Sequence, residues 1–148
     1  MSVSQVNISG KDVVYREAAA EGYIRLRKET IELIQHGKIE KGDPLTVSKV
    51  AGILAAKQTH LVLPLCHPLQ LEYVDIATWI DEENSRVVVR STVISHAKTG
   101  VEMEALFSVT AALLNVWDMV KQYEKDDQGQ YPHTAIESIR VVLKKKEG

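Results

Sequence analysis

Two stretches of the chain carry side-chain combinations able to do chemistry. The first is Leu65-Cys66-His67-Pro68-Leu69, which sets the single thiol of the sequence beside an imidazole, between Pro64 and Pro68. A Cys and a His together suit either metal ligation or nucleophilic catalysis. For a metal, His60 would have to join Cys66 and His67. That spacing matches neither paired zinc knuckles nor a His-x-x-x-His helix, so no metal is expected. For a nucleophile, side chains of adjacent residues usually point apart, which weighs against a Cys66–His67 couple. The plain alternative is that Cys66 packs as a small apolar group while His67 makes a hydrogen bond within a loop. The second stretch is Asp118-Met119-Val120-Lys121, where the acid and the base lie three residues apart and share one face of a helix. They read either as a proton-transfer couple or as a solvated ion pair worth ~0.2–0.5 kcal/mol.

Glu102 and Glu104 stand upstream on the same helical run. Two residues of separation turn them about 200° apart on a regular helix, so they are not expected to face one pocket. Thr99-Gly100-Val101-Glu102 fits a capping box, which gives Glu102 a structural task. Glu104 precedes Asp118 by fourteen residues, nearly whole turns, so the two share a face at a rise of ~21 Å. One small-molecule site uses both only if two subunits contribute or the ligand is long. The cations Arg16, Lys41, Lys57, Lys98, Lys121, Lys125 and Lys144-Lys145-Lys146 are scattered along the chain. Singly they are ordinary surface groups, whereas together, with the backbone N–H groups of a helix start at Lys98-Thr99-Gly100, they would suit a polyphosphate. Neither G-x-x-x-x-G-K-[ST] nor G-x-G-x-x-G occurs, so no standard P-loop or dinucleotide fingerprint is present.

The elements that must position these groups follow from periodicity. Val13–Leu26 reads as a strand, and Glu29–Gln35 as a helix stopped by Gly37. Gly42-Asp43-Pro44 supplies a cap and a first-turn proline for a second helix through about Lys57, with Val47, Val50, Ala51 and Leu54 at helical spacing. Residues between Pro64 and Pro68 are irregular. Leu71–Ile80 and Arg86–Ser95 form a hairpin around Asp81-Glu82-Glu83-Asn84-Ser85. A long helix reaches about Tyr123, with Leu106, Val109, Leu113, Val116 and Val120 as its apolar stripe. After a polar turn at Lys125–Gln130, Ile136, Ile139, Val141 and Leu143 mark the last strand. Apart from the extra short helix, the order is β-α-β-β-α-β, a ferredoxin-like α+β sandwich with an antiparallel sheet, read as one domain over residues 1–148. Helices should cover one face of the sheet. The hairpin is apolar on both faces, so subunits should pair over the other.

Composition narrows the function classes. Of 148 residues, 45% are hydrophobic and 26% charged, and 18 Lys plus Arg against 20 Asp plus Glu leave a net charge of −2. That describes a folded chain with a core and excludes disorder as its main state. It also argues against nucleic-acid binding through bulk positive charge. A lone cysteine forms no internal disulfide, the polar Met1–Lys11 lacks the apolar run of a signal peptide, and no stretch reads as a membrane span, so a cytoplasmic location is expected.

Taken in order, these segments resemble the MoaC family, the cyclic pyranopterin monophosphate synthases of molybdenum cofactor biosynthesis. The similarity runs from about Asn7 to Lys144 and includes Val14-Tyr15-Arg16-Glu17-Ala18, Lys41-Gly42-Asp43, Val50-Ala51-Gly52-Ile53, and Ala55-Ala56-Lys57 with Thr59. Its most specific parts are Leu63–Leu69, Lys98–Leu106 and Asp118–Lys121. The resemblance implies a cytoplasmic lyase that converts a cyclic dihydroguanosine triphosphate, made by a radical enzyme from GTP, into cyclic pyranopterin monophosphate with release of pyrophosphate. It also implies homohexamers, trimers of dimers with sites where subunits meet, and no cofactor. Residue by residue, it makes Asp118 and Lys121 catalytic. Leu65, Cys66, His67, Met103, Glu104, Glu102, Lys41, Lys57, Arg16 and Lys144 become substrate-binding. The chain departs from the family pattern at Asn7 (usually Asp), at Ala97 (usually Gly) and in the Asp126–Gln130 turn. A glycine-rich tail is replaced by Lys144-Lys145-Lys146-Glu147-Gly148.

Overall fold

Alternation of small and larger side chains along β1 (Val14–Arg25) turns Arg16, Ala18, Ala20, Gly22 and Ile24 to one side of a sheet, and all five are buried. The computed structural model describes residues 1–148. After β1 come α1 (Lys28–Gln35), α2 (Pro44–Lys57), the single turn α3 (Thr59–Val62), β2 (Tyr73–Asp81), β3 (Arg86–Ala97), α4 (Glu102–Glu124) and β4 (Ala135–Glu147). The strands pair antiparallel in the order β2-β3-β1-β4, which is the ferredoxin-like α+β arrangement. α4 lies across the buried face and contributes Ala105, Val109, Ala112, Leu113, Val116 and Val120 to the core.

Two glycines set how closely these layers approach. A Cβ on Gly22 would stand 2.8 Å from Ile139 Cγ1 and 3.2 Å from Leu113 Cδ1 and Val109 Cγ1, so the bare backbone lets α4 rest on β1. On α2, a Cβ at Gly52 would meet Ile76 Cδ1 at 3.1 Å and Ser108 Oγ at 3.2 Å. α2 runs antiparallel to α4, with Asn115 Nδ2 donating to Ser48 Oγ at 3.1 Å.

Helix ends explain most departures from the sequence reading. Asp43 caps α2 as expected, accepting from Leu45 N at 3.0 Å, with Pro44 in the first turn. The capping box expected at α4 does not form. Val101 occupies the N-cap without any side-chain hydrogen bond, because Glu102 folds over Gly100 and pairs with Lys144. α1 has no local cap either. Its start is held from a distance by Glu124, 1% exposed, which accepts from Arg27 N at 3.1 and 3.3 Å, from Thr134 Oγ1 at 2.6 Å, and from Thr30 Oγ1. The turn α3 was not expected, and β4 continues through the lysine tail to Glu147. Contrary to the expectation that no stretch reads as a membrane span, α4 is long and apolar enough to cross a membrane by length and composition, yet half of that stretch is buried inside the fold.

The sheet face away from the helices is less apolar than the hairpin pattern suggested. Arg86 stacks on Tyr23 at 4.0 Å, Arg90 pairs with Glu21 at 3.6 Å, and Tyr15 meets His96 edge-on at 5.6 Å. Tyr15 also donates to Glu17 at 2.5 Å, chiefly for which reason its hydroxyl pKa is pushed up to about 12. Only Ala19 and Val88 are buried there among the aligned positions of β1 and β3.

Candidate active site

Helix α4 carries candidate groups at both ends. At its start, the irregular segment after α3 is turned by Leu63 N donating to Thr59 O and Cys66 N to Leu63 O, at 2.9 and 3.0 Å. This delivers Cys66 Sγ to 3.7 Å from Glu104 Oε2, to which the thiol donates. Glu104 is 3% exposed, and its other oxygen, Oε1, is buried without a partner. Removal from water therefore raises the Glu104 pKa, and burial first, then the nearby Glu104 and Glu102, raises that of the Cys66 thiol. Glu102 and Glu104 do not line one cavity: Glu104 is buried against Cys66, whereas Glu102 lines the open space there, its Oε1 bending back over Gly100 to 1.8 Å from where a Cβ would sit.

Beside Cys66 lies a cavity of about 590 Å³ lined by Leu65, Cys66, His67, Glu102 and Met103, among others. Lys144 Nζ bridges to Glu102 Oε2 at 3.2 Å. Strand register sets Lys144 opposite Ala18 and Lys146 opposite Arg16, so all three cations lie on the helix-covered side of the sheet. Arg16, 6% exposed, donates from Nε to Ala97 O at 3.5 Å. Lys57 ends α2, whose antiparallel course brings it toward the start of α4, and it is exposed. His67 makes the loop hydrogen bond foreseen as its plain role, donating to Val6 O at 2.7 Å. Val6, Ile8 and Lys11 line the same cavity, a contribution with no sequence signal because the first residues are polar and aperiodic. No three His, Cys, Asp or Glu side chains come together in a way that could hold a metal ion.

At the far end of α4, Asp118 sits between two ammonium groups. Lys121 Nζ lies 3.2 Å from Oδ1 and Lys41 Nζ 3.4 Å from Oδ2, while Lys41 also donates to the Asp118 carbonyl at 3.0 Å. Hydrogen bonds from Lys121 and then Lys41 hold the Asp118 carboxyl below the usual range, so it is ionised near neutrality. All three side chains are exposed. Beside them Leu114 and Trp117 wall an open cavity of about 480 Å³, with Trp117 edge-on to Tyr131 at 5.2 Å. The fold thus brings Asp118, Lys121 and Lys41 together. Cys66, His67, Glu102, Glu104, Lys144 and Arg16 gather at the opposite end of the helix.

The chain matches the family model described as MoaC family over residues 5–148. It is 61% identical over 141 residues to a probable cyclic pyranopterin monophosphate synthase from Sulfurisphaera tokodaii, covering 95% of this chain and 92% of the relative. The Sulfolobus acidocaldarius protein of the same description is 58% identical, with 95% and 97% covered. A Methanothermobacter thermautotrophicus relative, 52% identical over 97% of this chain and 89% of its own length, is described as a probable cyclic pyranopterin monophosphate synthase accessory protein. End-to-end similarity of this order, on a β-α-β-β-α-β framework with a polar cluster at each end of its long helix, makes the chain a member of the MoaC family.

Proposed function

We propose that this protein is a cyclic pyranopterin monophosphate synthase, a lyase of molybdenum cofactor biosynthesis. It takes a cyclic dihydroguanosine triphosphate, rearranges it into cyclic pyranopterin monophosphate and releases pyrophosphate. The observation that carries the reading is similarity along almost the whole chain to relatives of that description. The chemistry fits the residues. Opening and reclosing rings requires protons to be removed and returned, and an ionised carboxylate beside an ammonium on the next helical turn supplies both capacities. Asp118 is the base and Lys121 its acidic partner, with Lys41 holding the carboxylate charged. Attack on the innermost phosphorus expels pyrophosphate, and cations must carry the charge of both fragments. Arg16, Lys57 and Lys144 take that part, Glu102 orients Lys144, and Leu65, Cys66, His67, Met103 and Glu104 form the substrate wall.

Fourteen residues of helix, ~21 Å, separate Glu104 from Asp118, so a single substrate touches both clusters where two copies meet, unless it is long enough to span them. Exposed Val47, Val50 and Leu54 on α2, with Leu114 on α4, add a second apolar surface for contact between copies to the pairing expected over the sheet face away from the helices. A hexamer of three dimers, with each site shared between neighbours, satisfies this requirement. In this reading the substrate comes from a radical enzyme acting on GTP, and this protein works in the cytoplasm.

Supplying the cyclic triphosphate and measuring pyrophosphate and the pterin product tests the reading. Turnover by the unaltered protein and its loss in Asp118→Asn and Lys121→Ala is the expected result. Undiminished activity in both variants removes the assigned mechanism. A second reading, a homologue that holds a pterin or GTP-like ligand without converting it, is favoured by the relative described as an accessory protein and by the tail lysines being held in β4, paired to β1. Tight binding of fresh substrate with no pyrophosphate released would establish it.

A further inference from the structure

We infer that residues Val6–Lys11 form a strap that positions His67, holding its imidazole in the tautomer protonated at Nε2. The segment lies outside every helix and strand. Its hydrogen bonds to the rest of the chain are two, and both come from side chains at the α4-start cavity or its rim. His67 Nε2 donates to the Val6 carbonyl at 2.7 Å, and Lys98 Nζ donates to the Ser9 carbonyl at 3.3 Å. Within the strap, Ser9 N donates to Asn7 Oδ1 at 2.9 Å and Lys11 N to Ile8 O at 3.0 Å, which folds it into a turn with its carbonyls presented to the cavity side. Val6 and Ile8 line the cavity together with Cys66 and Met103.

The consequence is set by what a carbonyl can do. It accepts and never donates, so the proton of a neutral His67 must sit on Nε2, and Nδ1 is left as the ring's acceptor. No other hydrogen bond holds the ring, so the strap is the one contact that fixes this state against exchange with the other tautomer. His67 therefore meets a bound group through Nδ1, as an acceptor of its proton or hydrogen bond. The catalytic consequence rests on the proposed synthase reaction, whereas the tautomer is a property of the resting protein.

The test uses the full chain with ¹⁵N-labelled histidine, the His67 signals being assigned from a His67→Gln variant. The expected spectrum shows a protonated Nε2 and a bare Nδ1. Removing residues 1–10, or introducing Ile8→Asp in the full chain to detach the strap without touching its partners, should average the two nitrogens. The same variants should lower kcat/KM by about 10- to 100-fold, mainly through kcat, as expected for a misplaced group. A ring protonated at Nδ1 in the intact chain, a spectrum unaltered by both variants, or an averaged spectrum with unchanged kcat/KM overturns the proposal. An intact protein with the expected spectrum but no turnover would sink the synthase reading and leave the tautomer assignment standing.

Discussion

Asp118 and Glu104 are carboxylates on one helix, yet their surroundings move their proton affinities in opposite directions. Two ammonium groups lower that of Asp118, and burial without a full set of partners raises that of Glu104. A raised folded-state pKa means the native state takes up the proton first. Glu104 therefore favours folding at acidic pH, and stability falls as pH rises from the ordinary carboxylate range through the raised value. Glu104→Gln should flatten that slope and be relatively more stable at neutral than at acidic pH, measured by urea unfolding between about pH 4 and pH 8. For Asp118 the sign is reversed, its contribution being present above the unfolded value and lost as pH falls through the lowered one. Since the side chain is exposed, the effect shows in turnover instead. Asp118→Asn should lose about 10²- to 10⁴-fold in kcat with little change in melting temperature. The i,i+3 spacing made the Asp118–Lys121 contact legible in the sequence. Lys41, 77 residues away in the chain, owed its place among the candidates to family resemblance, because long-range contacts leave no periodic trace.

At the scale of elements, the runs that bury one side announced themselves, and the ends did not. β1, β3 and α4 follow their apolar spacing to within one or two residues, whereas on α2 the span is right but the stripe is not: Val47, Val50 and Leu54 are exposed, and Ser48, Gly52, Ala55 and Ala56 are the residues turned into the fold. The cap foreseen for α4 was wrong because a tertiary partner, Lys144, takes the glutamate that would have reached back. The cap of α1 was invisible for the converse reason, coming from Glu124 at the end of another helix. Losing that carboxylate strands the N–H of Arg27 and the hydroxyls of Thr30 and Thr134. Glu124→Ala should cost about 3 kcal/mol in urea unfolding, since hydrogen bonds to charged groups contribute about 1.5–3 kcal/mol. Gly22→Ala should cost about 1–3 kcal/mol by overpacking against Ile139, Leu113 and Val109, seen as an earlier thermal transition.

For the whole molecule, the sheet order and the one-sided helical layer were readable from element order, because few topologies join β-α-β-β-α-β with short connections. Convergence of Arg16 and Lys144 with the cavity was not, since it depends on strand register and on two bulges in β4. The proposed shared site gives a test at this scale. His67→Ala and Asp118→Asn chains should each be nearly inactive alone. Co-assembled at random, they should recover about a quarter of the unaltered activity, because that share of interfaces joins two intact half-sites. No recovery in verified mixed assemblies would mean that each copy works by itself.

The lysine tail has one more effect. β4 borders the sheet, and its outer rim is an unpaired row of backbone groups, the kind of border that invites another chain to zip on. Lys144, Lys145 and Lys146 line that border with like charge, which discourages the growth of fibrous stacks from the end of the chain while the inner rim stays bonded to β1.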